Sequence, residues 1–275
     1  MSDTQAFFAA NLANWNERAA LHATDTTGSY RIAKVLAGGS SLHAIEADEI
    51  GDVAGLDVVH LQCHIGLDTL SLKHLGARSV TGLDFSPTAL AAARDFAARA
   101  GTQARFVEAS IYDAPEALGE RYDLAFVTWG AINWLPDIAA WARVVAAVLR
   151  PGGRLYLLEG HPMMNQCDLV EGRLVVTYDA RTPEDRPLVF DEEETYTGDA
   201  RKLTATRNYE WIHPVGVVVG ALLAAGLRLD FLREHDRLAW QAFPGMVEAG
   251  EDLFALPPGV AGIPLALSIG ATKPA

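Results

Sequence analysis

The 275-residue chain is half hydrophobic and carries 22 Lys and Arg against 35 Asp and Glu, a formal charge of −13 with no basic run. Its size and apolar content suit one large domain with a cap or two modest domains, while the acidic balance repels phosphate backbones and argues against nucleic acid as a partner. Cys63 and Cys167 lie far apart without metal-ligand spacing, the start Met1-Ser-Asp-Thr-Gln-Ala lacks the regions of a signal peptide, and the longest apolar run, residues 215–227, is too short to span a bilayer. A cytoplasmic protein with no metal and no membrane partner is expected.

In chain order, residues 4–18 read as an amphipathic helix with Phe8, Leu12 and Trp15 at i, i+4 and i+7. Residues 24–41, rich in Thr, Gly and Ser, read as a loop, either a flexible cover or an idle connection. The stretch 57–84 carries the strongest signal. Asp57-Val-Val-His-Leu is a β-branched strand, a tight turn follows at Gln62-Cys-His-Ile-Gly66, and a helix bears Leu67, Leu70 and Leu75. Ser79-Val-Thr-Gly-Leu-Asp84 is a second strand closing on a carboxylate. Two parallel strands need a crossover of this length, and an acid at the second strand's end is placed to grip the two hydroxyls of a ribose.

The turn narrows the choice of nucleoside. A dinucleotide site wants Gly-x-Gly-x-x-Gly so that a pyrophosphate can approach bare backbone at a helix N-terminus, but here the candidate positions hold Gln62, His64 and Gly66. Side chains there crowd a pyrophosphate and suit a methionine tail. With these residues the sequence resembles the class I S-adenosylmethionine-dependent methyltransferases, in particular small-molecule enzymes with His60-Leu-Gln-Cys-His-Ile-Gly66 in place of the glycine-rich motif. His60 stands where a carboxylate is commoner. The resemblance implies S-adenosylmethionine as cofactor, held by His60, Gln62, His64, Gly66, Asp84 and its neighbour Phe85. It implies an N-terminal lid in which Trp15 and Tyr30 line the substrate pocket; packing of that helix on the sheet edge is the other reading.

Farther along, Ser86-Pro87 reads as an N-cap and first helical residue, with Leu90, Ala93, Ala97 and Ala100 on the inner stripe and Gly101 as the stop. The strand 105–108 leads into Ala109-Ser-Ile-Tyr-Asp113, where the resemblance implies adenine contacts from Ser110, the Ile111 amide and Tyr112. The apolar strand 122–128 is followed by Trp129-Gly-Ala-Ile-Asn-Trp134. Ligands of open α/β sheets sit beyond such carboxyl ends, so Thr128, Trp129, Gly130 and the residues to Asn133 should face the sulfonium and its methyl group. Trp129 and Trp134 are substrate walls or core packing. A helix over 137–149 ends at Arg150-Pro-Gly-Gly153, a turn frequent in the resembling class, and the strand 154–159 follows.

Residues 163–211 alternate without a long helix and read as a β-rich insertion; its run Asp191-Glu-Glu-Glu194 is a solvated loop or meets a cationic substrate. A helix over 214–225 and strands over 227–235 and 265–273 complete the fold, with a long connection carrying Trp240, Phe243, Met246 and Phe254. The expected architecture is α/β: a Rossmann-like, seven-stranded, mostly parallel sheet with an antiparallel last strand. Residues 1–50 form the N-terminal lid, 51–162 and 212–275 the core, and 163–211 the β-rich cap.

Methyl transfer from a sulfonium is an in-line displacement in which alignment supplies on the order of 7–11 kcal/mol, more than the roughly 3–5 kcal/mol of a general base. His161 and His213 are the candidate bases, each with a structural role as the alternative, and Tyr30 is a third candidate catalytic residue. The expected reaction is methylation of an O or N atom of a small, partly hydrophobic metabolite by a monomer or homodimer. A cofactor-binding regulatory protein without catalysis and a nicotinamide-dependent oxidoreductase are the alternatives.

Overall fold

The computed structural model describes residues 3–250 and 252–275; Met1 and Ser2, the start of the predicted lid, and Glu251 lie outside them. Seven strands form the central sheet: β1 (Asp57–Leu61), β2 (Ser79–Asp84), β3 (Arg105–Glu108), β4 (Tyr122–Thr128), β5 (Leu149–Gly160), β6 (Arg228–His235) and β7 (Ala266–Thr272). Their order is β3-β2-β1-β4-β5-β7-β6. Neighbours from β3 to β5 are parallel, and the last strand, β7, runs antiparallel to both β5 and β6.

The strands are apolar on both faces because both faces are covered. Val59 and Leu61 of β1, Ala125 and Val127 of β4, and Leu155 and Leu157 of β5 pack with the helices Ile138–Val148 and Val215–Ala224. The alternate residues Val58, Leu124, Phe126, Tyr156 and Leu158 pack on the other face with Leu42, Ile50, Val53, Leu238 and Leu265. At the amino ends of β1 and β4, Arg150 of the Arg-Pro-Gly-Gly turn bonds Asp123 and Asp57, each at 2.8 Å, so this turn ties strands as well as stopping a helix.

Five helices concern the cleft: α1 (Asp3–His22), α2 (Ile32–Leu36), α3 (Ala44–Glu49), α4 (Leu67–His74) and α5 (Pro87–Arg99). Helix α5 starts as its sequence predicts, with the Ser86 hydroxyl accepting from the Ala89 amide and Pro87 in the first turn. Two expectations need correction. Helix α1 runs four residues past position 18, and the expected loop over 24–41 contains α2. The Asp25 carboxylate accepts from the amides of Tyr30 and Ile32, while Ile32 and Val35 enter the cluster of Leu67 and Leu70. Buried apolar contact and a local cap thus outweigh a loop-like composition.

The segment 163–211 holds two hairpins, Cys167–Val170 with Arg173–Val176 and Leu188–Asp191 with Arg207–Glu210. The connection after β6 carries a short ladder of Val247–Glu248 with Phe254–Ala255.

Candidate functional site

A cleft of about 1400 Å³ opens at the carboxyl ends of β1, β2 and β4. Its floor is the turn after β1. Gln62, His64 and Gly66 all have left-handed backbone, with φ of 58°, 50° and 75°. These are the positions at which the sequence pattern would place glycine, and two of them carry side chains despite the conformational cost. Gly66 has no such freedom, since a Cβ there would lie 2.7 Å from the Ala93 Cβ and 2.8 Å from the Phe106 ring.

Side chains lock the turn. The Gln62 amide donates to the Ala131 carbonyl at 2.7 Å, joining the ends of β1 and β4, and its buried Oε1 has no partner. The His64 amide donates to Asp84 Oδ2 at 2.8 Å and the Ser86 amide to Oδ1 at 2.9 Å. Burial raises the Asp84 carboxyl to about 6, against the pull of those amides. His60 Nδ1 meets Thr69 Oγ1 at 2.9 Å, and burial lowers its imidazole to about 3, so it is neutral where a carboxylate is commoner. Phe85 lines the cleft beside Asp84.

The loop after β4 is held from beneath. The Glu159 carboxylate accepts from the amides of Gly130, Ala131 and Ile132 at 2.7, 2.6 and 2.9 Å. Burial pushes this carboxyl up to about 7. Trp129, at φ 53°, donates its indole N–H to Glu46 Oε1 at 2.5 Å, and burial raises Glu46 to about 8. Thr128, Trp129 and Gly130 therefore line the cleft in a fixed arrangement, and Trp134 joins them.

The opposite wall comes from α1, the residues before α2 and the loop 192–198. Trp15 lies edge-on to His64 and Trp134, each with centroids 5.2 Å apart. His22 Nδ1 lies 2.9 Å from both His64 Nε2 and Tyr30 Oη, and its Nε2 lies 2.5 Å from Thr195 Oγ1. Tyr30 Oη also meets Tyr196 Oη at 2.5 Å. Burial and the neighbouring His64 lower His22 to about 2. Trp240, Phe243 and Phe254 supply the apolar end expected from the long connection, whereas Met246 is in the core.

Five sequence candidates lie elsewhere. Ser110 spends its hydroxyl on the Tyr112 amide, Ile111 is in the core, and Tyr112 bonds Asp137 with its ring against Phe8; none of the three lines the cleft. His161 is occupied by the Met163 amide and Glu234, and His213 donates to the Leu135 carbonyl at 2.7 Å. Neither histidine lines the cleft, and the ring of each is engaged elsewhere. Among the three catalytic candidates, only Tyr30 lines it. The sequence reading missed His22, Tyr196 and Glu210. His22 had a signal, since it follows Phe8 and Trp15 at successive seven-residue steps.

Residues 59–155 match the family described as a methyltransferase domain. The chain contains a methyltransferase domain of class I fold. Over 104 residues it is 32% identical to a ribosomal protein L11 methyltransferase of Vibrio cholerae serotype O1 (strain M66-2), covering 38% of this chain and 33% of that protein. It is also 32% identical over 104 residues to a ubiquinone biosynthesis O-methyltransferase of Xanthomonas axonopodis pv. citri (strain 306), covering 38% of this chain and 43% of that one. The methyltransferase domain thus spans only about a third to two fifths of the curated relatives it matches. A solved S-adenosylmethionine-dependent methyltransferase from Mesorhizobium loti superposes with a TM-score of 0.57 at 22% identity, covering 83% of this chain and 96% of that one. A glycopeptide N-methyltransferase solved with S-adenosylhomocysteine gives 0.52 at 20% identity, covering 83% and 86%. These likenesses, each over 83% of the chain, extend the domain match to a common fold. Among the described residues, no helix is long and apolar enough to cross a membrane.

Proposed function

We propose that the protein transfers a methyl group from S-adenosylmethionine to an O or N atom of a small, partly hydrophobic metabolite. The carrying observation is the left-handed Gln62–His64–Gly66 turn facing Asp84 across the β1–β2 strand ends. Asp84 retains acceptor capacity for ribose hydroxyls beyond its two amides. Gln62, His64 and neutral His60 offer hydrogen bonds to the amine and carboxylate of a methionine tail, and the turn lacks the bare backbone a pyrophosphate needs.

Capacity for two ligands supports a transferase. Small-molecule sites commonly occupy about 300–1,000 Å³, and a cleft of about 1400 Å³ leaves space beside one nucleoside. In this reading residues 1–50 act as a lid and 163–211 as a cap, with Trp15, Tyr30, Trp129 and Trp134 walling the acceptor. Tyr30 orients the acceptor through its hydroxyl, and the apolar end at Trp240 favours a metabolite over a charged polymer. The matched quinone-pathway relative is named an O-methyltransferase, and the structural neighbour an N-methyltransferase.

Calorimetric titration of the full chain with S-adenosylhomocysteine and, separately, with NAD tests the reading. Binding of the first without the second is expected. Binding of NAD alone overturns the assignment in favour of a nicotinamide enzyme, and binding of neither removes the nucleoside site.

A further inference from the structure

Proton removal from the acceptor is not explained by the residues assigned so far. The imidazoles of His22, His60 and His64 are held neutral by burial at about 2 to 3 and are weak bases. Asp84 is bonded by two amides, Asp68 by the Ser41 hydroxyl, and Glu192 by Arg18 at 2.5 Å. Glu159 bonds three amides beneath the β4 loop.

Glu210 is set apart by its place, because it is the carboxylate that the cap holds against the loop beyond β4. It ends the strand Arg207–Glu210 and lines the cleft. Among the described residues its carboxylate has one hydrogen bond, from Asn133 Nδ2 to Oε2 at 2.9 Å. The backbone fixes the same junction, because the Trp211 amide donates to the Asn133 carbonyl at 2.7 Å. Asn133 belongs to the loop beyond β4, where ligands of an open α/β sheet meet the strand ends. A carboxylate from the cap is thereby anchored beside the place where the methyl group would be delivered.

We propose that Glu210 is the general base of the reaction and that the acceptor's nucleophile is a neutral hydroxyl group. The inference rests on the cofactor reading above. The hydroxyl oxygen attacks the methyl carbon and forms the C–O bond. The S–CH₃ bond breaks with its electron pair left on sulfur, which becomes the neutral thioether. The hydroxyl proton passes to the Glu210 carboxylate and leaves to water after product release. Amine acceptors need this step less, because a neutral amine is already a competent nucleophile.

The surroundings tune the group. Burial raises Glu210 to about 7; the Asn133 bond opposes this, Glu192 on the neighbouring segment raises it further, and Arg18 of α1 lowers it. Tyr178, two residues past the other hairpin, is near enough for the Glu210 charge to help raise its phenol. Such a base is about half ionised at neutral pH, near the value that favours proton transfer.

The test measures S-adenosylhomocysteine release from S-adenosylmethionine with catechol, resorcinol, 2-naphthol and quercetin as probes, and with benzylamine and aniline for comparison. Glu210→Gln keeps an oxygen for Asn133 and removes the base. It should lower kcat at least about 100-fold, leave the phenol KM and S-adenosylhomocysteine affinity within about threefold, and abolish the fall of kcat/KM below pH 7. Asn133→Ala should lose less rate and shift that acid limb upward. Unchanged kcat and acid limb in Glu210→Gln overturn the base assignment. Turnover of the amines alone, or of no hydroxyl probe by protein that binds S-adenosylhomocysteine, overturns the hydroxyl assignment. Failure of the wild type to bind S-adenosylhomocysteine instead overturns the cofactor reading beneath it.

Discussion

The two walls of the cleft are held in different ways. On the sheet side, carboxylates bind backbone amides at most 29 residues away: Asp84 takes the amides of His64 and Ser86, and Glu159 takes three from Gly130 to Ile132. On the other side, side chains meet side chains over long separations: His22 with Thr195 (173 residues apart), Tyr30 with Tyr196 (166) and Arg18 with Glu192 (174). The first wall is part of the fold's own backbone. The second is assembled by docking α1 and the hairpins onto it, so substitutions there should perturb stability less and acceptor handling more.

The largest effect should come from the sheet wall. Gly66→Ala forces a Cβ into Ala93 and Phe106 at a left-handed position, and should cost about 3–5 kcal/mol of stability in urea unfolding. An unchanged midpoint would remove the claim that this turn is fixed. Glu159→Ala strands three amides and should cost about 2–3 kcal/mol, with Glu159→Gln recovering part. Equal stability of Ala and Gln variants would mean that the carboxylate does not hold the β4 loop.

The same contrast decides what the sequence could reveal. The strands 57–61, 79–84, 105–108 and 122–128, the Ser86-Pro87 helix start and the Asp84 position follow from local periodicity, capping and short spacing. Gln62, His64 and Asp84 were therefore legible as one site. Glu210 and Tyr196 were not, because no local pattern brings them to Asn133 and Tyr30; their partners lie 77 and 166 residues away. Ser110, Ile111 and Tyr112 were placed by resemblance, but the local hydroxyl cap, core burial and Phe8 contact engage them away from the cleft. His161 and His213 sat at plausible positions in the chain, yet chain position does not fix side-chain direction.

Stability should also fall as pH rises. Asp84, Glu159, Glu210 and Glu46 have folded values raised by burial to about 6, 7, 7 and 8. Ordinary carboxyls in an unfolded chain titrate near 4. Between those limits the folded state binds more protons, so stability decreases with rising pH. The buried neutral imidazoles of His22, His60 and His64 act the opposite way below about pH 6.5, so the ligand-free protein should melt at a higher temperature at about pH 7 than at about pH 8.5, and Glu159→Gln should flatten that dependence. A melting temperature that rises over the same interval would contradict net burial of these carboxyls.

The smallest effect should come from the far wall. Thr195→Val removes the hydroxyl partner of His22 and should cost about 1 kcal/mol, measured by the same urea unfolding. A loss as large as that of Gly66→Ala would show that the two walls share one rigid core.

Calorimetric titration with S-adenosylhomocysteine on Asp84→Ala and Tyr196→Phe tests the division most directly. The account predicts at least tenfold weaker binding in Asp84→Ala, about 1.4 kcal/mol, and affinity within about twofold of wild type in Tyr196→Phe. Equal weakening by both, or none by Asp84→Ala, would contradict the assignment of cofactor to the sheet wall and acceptor to the other.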